Sequence, residues 1–305
     1  MFAALAAAGW GLPLIALFHL LPLALDGAAI HVLFARGAPG GTWRNTLLAR
    51  WAGESANSLM PLGQVAGPVV MARDLSRRGM PLPDGAAAVT VSTTLQALAQ
   101  IVFGLLGIAL LVARARVGSE AGNEARGAMM AAVLAASGVL AAILLSFYWV
   151  QRRGLFGGAV RAFARLSDRH GSRWLSRAEE IDRAVEHTYR RGASAAASFL
   201  WSLAGWLVGT GEVYLALWFI GSPVDWLDAL LLESLGQAIR GAAFAIPGAL
   251  GVQEGGYVLL APLAGLTPQA ALALSFAKRA REILLGVPGL VYIHRSERNR
   301  DPSPA

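Results

Sequence analysis

The chain has 305 residues, 55% of them hydrophobic and only 15% charged, with a formal net charge of +7 and a mean hydropathy of +0.52. Soluble domains carry about a quarter charged residues, so these residues do not encode a soluble fold and leave no room for a large soluble catalytic domain. With no cysteine, disulfides, thiolate metal sites and cysteine nucleophiles are excluded together.

A helix crossing a hydrocarbon core of about 30 Å needs about 20 apolar residues. In chain order the runs that qualify are 9–34, interrupted by Pro13, Pro22 and Asp26, then 86–113 and 128–150. They are followed by 195–220 with Glu212, 226–246 with Glu233 and Arg240, and 269–294 with Lys278, Arg279, Arg281 and Glu282. A Gly/Pro-rich stretch, 247–265, reads as a short span or as half of a re-entrant hairpin. Cytoplasmic loops retain positive charge. The connection after the first run carries Arg36, Arg44, Arg50, Arg73, Arg77 and Arg78, and the basic loop 151–193 carries ten arginines. Both belong inside. The turn 221–225 has no basic residue, and the tail carries Arg295, Arg298 and Arg300. Alternation then gives about seven spans with the N-terminus outside and the C-terminus cytoplasmic. Apolar residues between Leu155 and Leu166 recur at helical spacing among arginines, which fits a helix on an anionic leaflet as well as it fits a solvated loop.

Two segments break the helical pattern. In 54–72, Glu54, Asn57, Pro61, Gly63, Gln64, Gly67 and Pro68 sit in an apolar run whose flanks are both basic, so a re-entrant hairpin is expected. In 244–265, Pro247, Gly248, Gly251, Gln253, Glu254, Gly255 and Gly256 repeat the same grammar of Pro, Gly, then Gln. Irregular backbone at membrane depth is tolerated only where protein or a water-filled cavity covers it. We read the two segments as equivalent elements of two related halves, both approached from the cytoplasmic side, a pattern that points to a binding site near the midplane.

Charged groups at mid-span cost roughly 2.5–3.5 kcal/mol each on insertion scales, so Lys278, Arg279, Arg281 and Glu282 cannot all face lipid. Glu233, Gln237 and Arg240 share one helical stripe at i, i+4 and i+7. Glu212, Glu233, Glu254 and Glu282 balance Arg240, Lys278, Arg279 and Arg281, as expected of an interior network, and Lys278 and Glu282 have the spacing of an i, i+4 pair. A network of this kind beside broken backbone suits a zwitterionic, anionic or hydroxylated lipid headgroup entering sideways. The candidate substrate-binding residues are therefore Glu54, Asn57, Pro61, Gln64, Glu233, Gln237, Arg240, Pro247, Gln253, Glu254, Lys278, Arg279, Arg281 and Glu282. Five scattered histidines form no HxxxH or HExxH, and neither a P-loop, a dinucleotide fingerprint nor a nucleophile elbow occurs. No metal, no cofactor, no nucleic-acid partner and no catalytic residue are expected.

At Asn57-x3-Pro61-x-Gly63-Gln64, Phe244-Ala-Ile-Pro247-Gly248-x2-Gly251-x-Gln253-Glu254-Gly255-Gly256 and Ala277-Lys278-Arg279-x-Arg281-Glu282, the sequence resembles the flippase-like membrane family related to the transmembrane region of lysylphosphatidylglycerol synthase. Within it, the likeness is greatest to the hopanoid-biosynthesis-associated membrane proteins. The resemblance covers nearly the whole chain and implies a lipid-handling protein of the bacterial inner membrane. The soluble aminoacyl-transferase domain of the synthase is not among these residues. Family members usually carry one more helix before the equivalent of 9–34, which implies a true start upstream of Met1.

The expected fold is thus an all-α polytopic membrane protein, a single transmembrane domain over 1–305. Its expected function is to translocate or bind a lipid, a hopanoid or a phospholipid, through a polar intramembrane cavity. The alternative is a non-catalytic scaffold that holds hopanoid-biosynthesis proteins through 151–193.

Overall fold

In the computed structural model, residues 9–60, 66–115, 171–243 and 249–298 are described, together with Ile246 and six single positions between 127 and 146. All but five positions of the expected span 128–150, the segment 155–166, and Pro61, Gln64 and Pro247 lie outside the described residues. The described secondary structure is helical throughout: α1 (Gly11–Phe18), α2 (Leu20–His31), α3 (Trp43–Leu59), α4 (Ala66–Arg77), α5 (Leu82–Ala115), α6 (Gly171–Arg190), α7 (Gly192–Phe219), α8 (Trp226–Ala242), α9 (Val252–Leu260), a 3-10 turn (Ala261–Ala264) and α10 (Pro268–Arg298). Among the described residues, three helical stretches are long and apolar enough to cross a membrane, Gly11–His31, Leu82–Ala113 and Gly192–Phe219. The 31-residue α10 is about 46 Å long, but its polar side chains face inward. Lys278, Arg281 and Glu282 are buried, whereas Ile283, Leu284, Val287 and Val291 are exposed. Apolar outside and ionic inside is the arrangement a lipid solvent imposes.

The helix at 9–34 breaks at His19. Pro22 has no N–H to offer the carbonyl one turn earlier, and α1 ends at Phe18, opposite that gap.

Two helical arms, α3 and α4, pair on either side of the break expected within 54–72. α3 and α4, at 17 and 12 residues, are about 25 and 18 Å long, too short to cross the core singly and return. The arms of this hairpin are clasped near the tip, where Asn57 Oδ1 accepts from the Gly67 N–H at 2.6 Å. Its open end lies at the C-terminal end of α10, where Arg73 and Arg77 reach Glu297 and Arg78 donates to Tyr292. Its tip reaches only the middle of α10, with Leu59 against Gly286.

The α8–α9 pair is a second hairpin, and it enters from the opposite end. Its arms meet at Gly236–Tyr257 and Gly256–Ile239. Its open end packs with Phe219, Ile220, Val224 and Leu266 near the start of α10. Its tip, at Arg240 and Gln253, again lies against the middle of α10. The nine-residue α9 is about 13 Å long, so 247–265 supplies a return arm and not a full span. The expectation that both broken segments are approached from the same side is therefore corrected.

Two halves of one plan result, spanning stretch, hairpin, long helix: α1–α2, α3–α4, α5 and α7, α8–α9, α10. The plan is inverted between them. α2 packs on α7, α3 packs on α10, and α8 packs on α5, as exchange of the halves requires. Small residues mark both equivalent seams: Gly286 and Gly289 of α10 face Leu59 and Ser55 of α3, and Gly107 of α5 faces Ser234 and Leu235 of α8. Helices in lipid associate by such close approach, because apolar burial alone gives little advantage over lipid tails. In the basic loop, α6 docks through Ala178 and Val185, and Arg191 donates to the carbonyls of Leu33 and Phe34.

Substituting Gly107 or Gly289 by Val places a Cβ inside the Ser234 or Ser55 side chain and is expected to cost about 1–3 kcal/mol. Gly209→Ala, where a Cβ meets nothing within 4 Å, is expected to be neutral or stabilising. Thermal unfolding of the detergent-purified protein checks both, and equal behaviour of the three variants would contradict the packing.

Candidate functional site

The two hairpin tips converge on one stretch of α10, Lys278 to Glu282, and the ionisable side chains of six helices meet there. Lys278, 1% exposed, donates to Glu233 Oε2 of α8 at 2.6 Å and lies 5.7 Å from the ring of Tyr257 on α9. The Tyr257 hydroxyl donates to the same oxygen at 3.1 Å, and Gln237 Nε2 donates to Glu233 Oε1 at 2.9 Å. The stripe of Glu233, Gln237 and Arg240 foreseen on α8 is thus one working face. Lys278 does not pair with Glu282 one turn along. An exposed i, i+4 pair is worth only a few tenths of a kcal/mol, less than the cost of leaving the buried Glu233 carboxylate unpaired.

At the tip of the second hairpin, Glu282 lies between Arg240, at 2.9 Å, and Arg279, at 3.1 Å. Arg279 Nε also reaches Glu254 Oε1 at 3.2 Å. Glu254 turns its other oxygen onto the Gly251 N–H at 2.7 Å, capping α9. Arg240 donates to Gln253 Oε1 at 3.0 Å. Two donors at this tip stay unpartnered although buried, Gln253 Nε2 and Arg279 Nη2.

On the other side of α10 a third group forms around His19, at the α1–α2 break. Its Nδ1 lies 2.7 Å from Glu212 Oε2 of α7 and its Nε2 lies 2.7 Å from Glu54 Oε1 of α3. Arg281 reaches both carboxylates, Glu212 at 3.1 Å and Glu54 at 3.3 Å. One turn away Arg50 pairs with Asp26 at 2.5 Å, and Gln96 of α5 donates to the same Asp26 oxygen at 2.7 Å. Between α3 and α10 a cavity of about 10 Å³, lined by His19, Trp51, Glu54, Ser58 and Arg281 among others, has room for about one water.

The structure thus brings together Glu54, Glu233, Gln237, Arg240, Gln253, Glu254, Lys278, Arg279, Arg281 and Glu282. Asn57 acts within its hairpin as a clasp. His19, Asp26, Arg50 and Tyr257 belong to the network and were absent from the sequence expectation. For His19 and Asp26 a signal existed, since each is an ionisable residue inside an apolar span. Among the described residues, no group of three His, Asp or Glu side chains is arranged to hold a metal ion.

The sequence model of the lysylphosphatidylglycerol synthase transmembrane region matches residues 1–289. No curated protein and no solved structure matches the chain.

Lys278→Met alone leaves Glu233 charged and buried, and is expected to cost about 3–5 kcal/mol. The double variant Lys278→Met, Glu233→Leu removes both charges and is expected to recover most of that loss. A double-mutant cycle on thermal unfolding checks this, and additive losses would contradict a mutual pair.

Proposed function

The chain belongs to the family of the lysylphosphatidylglycerol synthase transmembrane region, and on that footing we propose that it is a non-enzymatic lipid translocase of the bacterial inner membrane. Family membership carries a membrane lipid-related function. The finer reading rests on the site. Two broken hairpins from opposite ends meet at one ionic centre, the arrangement by which inverted repeats build a midplane binding site. Gln253 Nε2 and Arg279 Nη2 carry the reading furthest. A buried donor without a partner costs about 1–3 kcal/mol, and a phosphate or hydroxyl oxygen of a headgroup would relieve both at once.

The cavity beside His19, Glu54 and Arg281 has room for about one water, too little for a headgroup. Entry of a headgroup requires the hairpin tips to part from α10. Arg240 and Arg279 then exchange the Glu282 carboxylate for headgroup oxygens, and Glu254 and Glu282 balance any positive group. The resemblance to hopanoid-biosynthesis-associated membrane proteins favours a hopanoid, and phospholipids present the same acceptor chemistry. Membrane lipids are the expected partners, with hopanoid-biosynthesis proteins as suppliers of the substrate. The arginines of 36–78 and 152–191 and of the tail place the basic end, with the C-terminus, in the cytoplasm. The mechanism calls on no cofactor and no nucleic acid.

Arg279→Lys keeps a cation between Glu254 and Glu282 and removes the unpartnered Nη2. Translocation of a labelled hopanoid or phosphatidylglycerol in proteoliposomes is expected to fall about tenfold, ~1.4 kcal/mol in the barrier, with little change in unfolding temperature. An unchanged rate for both lipids removes Arg279 from the site.

A further inference from the structure

We propose that lipid movement in this protein is coupled to protons through His19, which holds one exchangeable proton between Glu54 and Glu212. The coupling rests on the translocase reading above, whereas the presence of the proton rests on geometry alone.

Both ring nitrogens of His19 lie 2.7 Å from a carboxylate oxygen. A neutral imidazole has one N–H and one lone pair, so it serves one carboxylate and turns a lone pair on the other. A separation of 2.7 Å is that of a charge-assisted N–H···O bond, which needs a hydrogen between the atoms. The cluster therefore carries one proton more than a neutral histidine with two carboxylates, whether it sits on the ring or on a carboxyl. Arg281 Nη1 also lies 3.2 Å from His19 Nε2. That longer contact does not replace the shorter one, because the same guanidinium is already engaged with Glu54 and Glu212.

Charge arithmetic agrees. Six carboxylates of the network, Asp26, Glu54, Glu212, Glu233, Glu254 and Glu282, face five permanent cations, Arg50, Arg240, Lys278, Arg279 and Arg281. The extra proton of the His19 cluster supplies the balancing charge. Every element packed against the ring is represented in this count: Glu54 and Arg50 on α3, Glu212 on α7, Lys278, Arg281 and Glu282 on α10, and Asp26 on α2. Among these groups only histidine ordinarily titrates between about pH 5 and 8.

The proton also sits where its loss has a mechanical consequence. His19 fastens the first hairpin, through Glu54, to α7, through Glu212. When the proton leaves, one of the two 2.7 Å contacts becomes a lone pair facing a carboxylate and the network gains one uncompensated negative charge. This link of α3 to α7 borders the α3–α10 seam, where the water-sized cavity touches His19, Glu54 and Arg281. A water there is the route by which the proton enters and leaves. Binding of one proton closes the seam, release of the same proton opens it, and entry and exit on opposite faces couple each cycle to the gradient.

Two measurements test this on the full-length protein. The first is nitrogen NMR of histidine-labelled protein in lipid nanodiscs, with His31, His170, His187 and His294 replaced by Gln so that only His19 reports. A doubly protonated ring, or a short hydrogen bond shared with a carboxyl, is expected to persist to about pH 8. A plain neutral imidazole at that pH overturns the proton assignment. The second is movement of labelled phosphatidylglycerol and of a labelled hopanoid in proteoliposomes with a trapped pH dye. A gradient of about one pH unit, a tenfold ratio of protons, is expected to change the wild-type rate several-fold and to dissipate faster when lipid moves. In His19→Gln the remaining rate is expected to ignore the gradient. Lipid movement that is indifferent to the gradient in the wild type overturns the coupling and leaves the translocase reading standing. No movement of either lipid overturns both, while the NMR result still decides the proton.

Discussion

The constraint on which the structure depends is that a charge in the middle of a bilayer must be met by its opposite. α10 carries Lys278, Arg279, Arg281 and Glu282 within about two turns, and no other feature of the chain so restricts its neighbours. Each of these side chains needs a partner within hydrogen-bond reach. The partners come from four other helices: Glu233 and Arg240 on α8, Glu254 on α9, Glu212 on α7 and Glu54 on α3. Satisfying the charges of one helix therefore fixes the packing of the described membrane-embedded helices around it.

Neither hairpin crosses the core. Their value is that a broken helix ends at the depth where the charges are. A continuous helix satisfies its own backbone and offers only side chains at the midplane, whereas a hairpin tip also brings N–H groups such as that of Gly251, which Glu254 accepts. The inverted arrangement doubles this. One tip supplies Glu54 and the other supplies Arg240, Gln253 and Glu254, and both are pressed onto α10 from opposite ends. The glycines at Gly107, Gly286 and Gly289 let the hairpins approach closely enough for short side chains to touch.

Much of this was legible in the residues. Composition and run length fixed the class, the Pro/Gly grammar marked both hairpins, and the charges of 269–294 marked the centre. What escaped were features that depend on distance through space. The pairing of Lys278 with Glu233 spans 45 residues and overrides the local i, i+4 alternative. The direction of the second hairpin also escaped, because 247–265 is long enough to suggest a crossing while only Val252–Leu260 is α-helical. His19 has no partner at metal-ligand spacing and so carries no local sequence motif. Beside Pro22 and inside an apolar span, it met the same criterion that singled out Glu212.

Balance and closure are two sides of the same physics. Six carboxylates face five permanent cations, and the cavity beside His19 has room for about one water. Such a network is stable only while it is complete, since removing one charge strands its partner in low dielectric. A neutral lipid headgroup that replaces an internal partner one oxygen at a time keeps every charge satisfied and avoids that penalty. A bare ion entering the same centre would upset the sum.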